Sequence, residues 1–154
     1  MIKIKRVEHV GVAVNSYEEA AGFYGLLGLK IHGTEEVAGS ALKVAMLPVG
    51  ESEIELLEPA GPESAVAKFL EKKGEGIHHI AFCVEDIHGA VKELVDGGVR
   101  MIDKAPRPGA GGKLVAFVHP AAAHGVLIEL VEDKKRPAPP LPRPLLPPAS
   151  MERE

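Results

Sequence analysis

VEHVGVAV at residues 7–14 and IHHIAFCV at residues 77–84 are one segment written twice. The match runs without a gap from residues 7–31 to residues 77–101, so that His9 meets His79, Ala20 meets Ala90 and Gly28 meets Gly98. Self-similarity at a constant offset marks a duplicated structural unit. Each copy opens on an apolar, β-branched run that reads as a strand. A helix follows. Ser16 with Glu19 forms a capping box for the first helix, Asp86 caps the second, and Gly28 and Gly98 stand where a helix must stop. A second strand comes after each glycine. Further on, LKVAMLPVGESEIELLEP (residues 42–59) corresponds to KLVAFVHPAAAHGVLIELVED (residues 113–133) with a longer hairpin loop, which adds two antiparallel strands per copy. The fold class read from this pattern is α+β. Two βαβββ modules, about residues 5–60 and 75–133, share a single domain over 1–133, with a linking helix at about 63–73.

The chain has 154 residues, 45% hydrophobic and 26% charged, which is enough apolar material for one core. The single cysteine, Cys83, rules out an intrachain disulfide and any metal centre built from several thiols, and packing is its expected role. No apolar run approaches the ~18 to 20 residues that span a bilayer, and the basic start lacks a signal-type core, so a cytoplasmic protein without a membrane partner is expected. A net charge of -4 with 4% aromatics argues against nucleic acid. From residue 134 onward, KKRPAPPLPRPLLPPASMERE holds seven of the 13 prolines, and residues 134–154 are expected to form a disordered tail.

The repeat also sorts the chemistry. Alternation along a strand puts His79 on the face of Ala81 and Cys83, and His78 on the opposite face with Ile80 and Phe82. Glu55 and Glu129 are paired by the repeat, and each shares its face with apolar residues: Leu57 in one case, Leu127 and Val131 in the other. A carboxylate in such a place is costly to desolvate unless its charge is compensated. A divalent metal on His9, Glu55, His79 and Glu129 would compensate it, and this donor set suits Zn, Ni, Co, Mn or Fe(II). Glu53, Glu58 and Glu132 are expected to be solvated, and His32, His88, His119 and His124 to lie in loops or on the surface. In PRPGAGGK (residues 106–113) the backbone N–H groups of Gly109, Gly111 and Gly112 could meet a phosphate or carboxylate, and a plain flexible connection fits equally well. Arg107 excludes a Walker loop.

HVGVAV together with the βαβββ repeat resembles the vicinal-oxygen-chelate (glyoxalase) superfamily. LPVGESEIELLEP, AKFLEKKGEGIHHIAF, PRPGAGG and HPAAAHGVLIELVE are similar, more narrowly, to the methylmalonyl-CoA epimerase family, over about Lys5 to Glu132. The resemblance implies a curled mixed sheet forming an open barrel around one divalent metal per chain (Co, Zn, Ni or Mn), held by His9, Glu55, His79 and Glu129. It implies an acyl-CoA substrate, a homodimer, and interconversion of the (2R) and (2S) epimers of methylmalonyl-CoA in propionate metabolism. Proton removal from C2 would fall to Glu129, acting as base as well as ligand. Some family members carry a second carboxylate at the position of Lys43, so the opposite-face acid is open among Lys43, Glu35, Glu36 and a bound water. Ala121 stands where many members have lysine. The alternatives are a glyoxalase I-type lactoylglutathione lyase and a non-catalytic binding protein of the same fold.

Overall fold

The computed structural model describes residues 1–133, and the proline-rich stretch expected to be a tail lies outside the described residues. The first module comprises β1 (Ile4–Ala13), α1 (Tyr17–Leu26), β2 (Gly33–Val37), β3 (Leu42–Val49) and β4 (Ser52–Pro59), followed by the linking helix α2 (Ala65–Lys73). The second comprises β5 (Gly76–Val84), α3 (Ile87–Asp96), β6 (Arg107–Pro108), β7 (Leu114–Val118) and β8 (Ile128–Glu132). All eight strands form one sheet in the order β2-β3-β4-β1-β5-β8-β7-β6. Each module pairs its first strand in parallel with its last, β1 with β4 and β5 with β8, and the two first strands run antiparallel at the centre. The sheet curls until its edges approach: Gly111 N–H, just beyond β6, donates to Glu35 Oε1 on β2 at 3.1 Å.

In the second module the strand expected after Gly98 shrinks to a bridge between Met101 and Val118 and the two-residue β6. Pro106 and Pro108 have no N–H to give a ladder, which accounts for the loss. The helix signals are met. Ser16 accepts from Glu19 N–H at 3.3 Å, Asp86 from Gly89 N–H at 3.1 Å, and Gly28 and Gly98 take φ of 91° and 82° after the helices. On α3, Ile87, Ala90 and Val91 pack against Met101, Ala116, Val118 and Leu130. On α2, Val66, Phe69 and Leu70 pack against Ala13, Val44 and Leu57, and α1 lies over Val14, Ala45, Leu47 and Leu56.

Glu58 and Glu132, expected to be solvated, are partly buried and buried respectively. Glu58 accepts from Tyr17 N–H at 3.0 Å and Glu132 from Ile87 N–H at 3.3 Å, so each module's last strand supplies a carboxylate to the N-terminus of its own helix.

The central β1–β5 seam is irregular. Between Val7 and His9, β1 carries Glu8 as an extra residue, and opposite Gly11 and Val12, β5 carries His78 as one. Such bulges re-aim side chains. Between them the register sets His9 against Ala81 and His79 against Gly11, so each histidine faces a small residue of the other module.

Candidate active site

The concave face of the sheet encloses a cavity of about 360 Å³. Its lining is mixed: Glu8, His9, Glu55, His79 and Glu129 supply polar groups, and Val37, Leu42, Val44, Met46 and Leu57 supply apolar surface, with Met46 paired to Glu55 across the β3–β4 ladder. β1 brings His9, β4 Glu55, β5 His79 and β8 Glu129, and all four are buried or nearly so. His9 Nε2 and His79 Nε2 are 2.9 Å apart. Glu129 Oε2 lies 3.1 Å from the first and 3.0 Å from the second. Glu55 Oε2 is 2.7 Å from the other ring nitrogen of His9, Nδ1. His79 fits across the seam because Gly11 has no side chain; a Cβ there would sit 2.6 Å from His79 Nδ1.

Charge in this cavity is tightly coupled. Burial pushes the His9 imidazole down, but hydrogen bonds to Glu129, Glu55 and Glu8 outweigh it and hold the ring at about 11. Burial pushes Glu129 up, yet hydrogen bonds from His79 and His9 hold it at about 2, so it is ionised throughout the neutral range. Glu8 is wholly buried and also lies at about 2, because contacts from His9 and Lys113 overcome burial. Lys113 Nζ donates to it at 2.9 Å and Arg6 approaches it at 3.4 Å. Three carboxylates thus surround one imidazole.

A cation fits the same place. His9, His79 and Glu129 each offer a ligand atom within 4.8 Å of the others, and Glu8, His9 and Glu55 form an adjoining group. Glu55 therefore stands beside the three-ligand group rather than inside it, on the far ring nitrogen of His9.

Residues 8–117 match the profile of the Glyoxalase/Bleomycin resistance protein/Dioxygenase superfamily. The mitochondrial methylmalonyl-CoA epimerase of Dictyostelium discoideum is 38% identical over 133 residues, 85% of this chain and 80% of that protein. The ethylmalonyl-CoA/methylmalonyl-CoA epimerase of Cereibacter sphaeroides is 39% identical, over 82% of this chain and 97% of that one. A solved structure of a Streptomyces coelicolor methylmalonyl-CoA epimerase variant in complex with 2-nitronate-propionyl-CoA superposes with a TM-score of 0.84 at 36% identity, covering 89% of this chain and all of that one. The chain belongs to the methylmalonyl-CoA epimerase family.

For a member of this epimerase family, the placement of the remaining candidates is informative. Lys43 does not enter the cavity. Alternation along β3 turns Leu42, Val44 and Met46 inward, while Lys43 is 43% exposed on the outer side and pairs with Glu58 at 3.8 Å. Glu36 likewise lies with Lys43, Tyr17 and Thr34 in a groove outside the site, whereas Glu35 does line the cavity. The amides of Gly109 and Gly111 are engaged within the protein, with Lys113 C=O at 2.8 Å and with Glu35, and Gly112 is absent from the cavity lining. Neither of those two amides is offered to a ligand in this arrangement. Cys83 is buried outside the cavity wall.

His78 is the other departure. It stays out of the cavity, but the bulge brings its Nδ1 to 2.9 Å from His79 Nδ1, so the two rings meet although they leave the strand as neighbours. Sequence reasoning missed Glu8, Gly11 and Lys113 as parts of the site. Gly11 alone carried a signal, since the repeat pairs it with Ala81, another small residue two positions after a histidine.

Proposed function

We propose that this protein interconverts the (2R) and (2S) epimers of methylmalonyl-CoA by removing and replacing the C2 proton, with a divalent metal held by His9, His79 and Glu129. Glu55 is the fourth candidate ligand, with its Oε2 2.7 Å from His9 Nδ1. The observation that carries this reading is the convergence of His9 Nε2, His79 Nε2 and Glu129 Oε2, within 3.1 Å of one another, in a cavity also lined by Val44, Met46 and Leu57. When bound, the cation supplies positive charge to the thioester and carboxylate oxygens, which lowers the barrier to forming an enolate.

The chain does the rest. Glu129 accepts the C2 proton from one face. The apolar surface of Val44, Met46 and Leu57 faces the substrate's methyl group and excludes water, which strengthens every electrostatic interaction inside. Of Lys43, Glu35 and Glu36, only Glu35 lines the cavity, and it takes the opposite-face role in this reading. The cavity accommodates the acyl head, and its lining includes the cations Arg107 and Lys113.

The test is exchange of the C2 hydrogen of methylmalonyl-CoA with deuterated solvent, measured alongside metal content. Glu129→Gln keeps an oxygen donor but loses its basicity, so exchange should fall by about 10² to 10⁴-fold with metal retained. Exchange at the wild-type rate in that variant would make Glu129 a ligand only. Thioester formation from methylglyoxal and glutathione, without C2 exchange, would replace this reading with the lyase. Size exclusion with light scattering tests the homodimer that the resemblance implies.

A further inference from the structure

A contact of 2.9 Å between two imidazole nitrogens requires one N–H and one lone pair. His78 Nδ1 and His79 Nδ1 make that contact, so one of these rings donates and the other accepts. His79 turns its other nitrogen, Nε2, to the cavity, 3.0 Å from Glu129 and 2.9 Å from His9 Nε2. If Nε2 gives its lone pair to a metal, as the proposed function requires, the proton of the neutral ring is on Nδ1 and His78 must accept it. The bulge on β5 makes this possible, and the edge of Phe69 on α2, with ring centroids 5.0 Å apart, holds the His78 ring in place from behind.

We infer that His78 is the positioning residue for His79, fixing its tautomer and ring angle by accepting a hydrogen bond at Nδ1. This inference rests on the metal reading of the site and deepens it. At the corresponding nitrogen of His9, Nδ1, Glu55 Oε2 lies 2.7 Å away, so the two histidines, equivalent by the repeat, meet groups of different charge there. The doubled histidine in GIHHIAF is thereby explained: one ring faces the cavity and its neighbour steers it.

The test is cobalt(II) affinity of the full chain, by competition with a chelating dye, for wild type, His78→Leu and His78→Asn. An asparagine Oδ1 occupies nearly the place of a histidine Nδ1 and can accept, whereas leucine cannot. The expected result is a loss of about 10- to 100-fold in affinity for His78→Leu and near wild-type affinity for His78→Asn. In the cobalt-loaded wild type the Nδ1 proton of His79 should persist as a shifted, slowly exchanging NMR signal, and it should vanish into solvent exchange in His78→Leu. Wild-type affinity in His78→Leu, or equal losses in the Leu and Asn variants, would overturn the inference and leave His78 as packing against Phe69. A wild-type chain that binds no cobalt would overturn the metal reading itself, and this inference with it. Should His78→Leu fail to fold, His78→Gln replaces it. Its carbonyl lies one bond too far out, so Gln and Asn variants of equal affinity would also overturn the inference.

Discussion

A Cβ atom placed on Gly11 would stand 2.6 Å from His79 Nδ1 and 2.9 Å from its Nε2, with the ring lying directly over the backbone. Gly11→Ala must therefore tilt His79 out of line with His9 and Glu129. Displacing a reacting or ligating group by about 1 Å costs on the order of 10²-fold in rate, and C2 exchange should fall by that factor while the urea midpoint moves little. Glu8 makes the opposite case, where stability suffers first. Its carboxylate is wholly buried between Arg6 and Lys113, so Glu8→Gln removes the ion pair of buried Arg6, while Lys113 keeps Glu53 and Asp133 nearby, and should cost about 3 kcal/mol in urea unfolding. An unchanged midpoint would show that the two cations find other company. His9, Glu55, His79 and Glu129 were legible as a group because the repeat pairs them two by two. Glu8 and the steering contact of His78 were not, since both depend on bulges: strict alternation turns Glu8 away from the cavity it lines and parts the rings of His78 and His79, which meet.

For the elements, the βαβββ order was legible from caps, glycine stops and strand patterns, and it is present in both modules. The second module's strand after Gly98 was overestimated, because the prolines around Arg107 were not weighed against its ladder. Lys43 lies outside the cavity on parity alone: one step along β3 stands Val44, which does line it. The repeat also held a correspondence that went unused, Glu58 with Glu132, each accepting from the first N–H of its module's helix. A charged acceptor at a helix N-terminus is worth about 1.5 to 3 kcal/mol when buried. Glu132→Ala should lose about that much by urea unfolding. Glu58→Ala, at a less buried site, should lose less. Equal losses would mean that burial does not set the strength of these caps.

Across the whole molecule, the described strands and the described cavity lining fall within residues 1–133, and the remaining 134–154 hold seven of the 13 prolines, a composition that suits neither a sheet nor a helix interior. A chain ending at Asp133 is accordingly expected to fold and to exchange the C2 hydrogen of methylmalonyl-CoA. Precipitation, or loss of most turnover, would assign work to residues 134–154. The barrel's two edges approach where Gly111 N–H meets Glu35, and both residues line the cavity. Glu35→Gln keeps an acceptor for that amide but removes a titratable group. A large fall in C2 exchange with unchanged amide protection at Gly111 would place Glu35 in proton transfer, and full activity would leave it as a clasp.

The β1–β5 seam has one more consequence. His9 belongs to one module and His79 to the other; the His79 ring lies over Gly11 of β1, and His9 is in register with Ala81 of β5. An ion bound between them is a rivet through the joint, so neither half can come away without releasing it. Metal at 100 times its dissociation constant would then add about 2.7 kcal/mol to the resistance of the two halves to parting. Heating the metal-free chain should let the modules melt more nearly as separate units, whereas the loaded chain should melt as one.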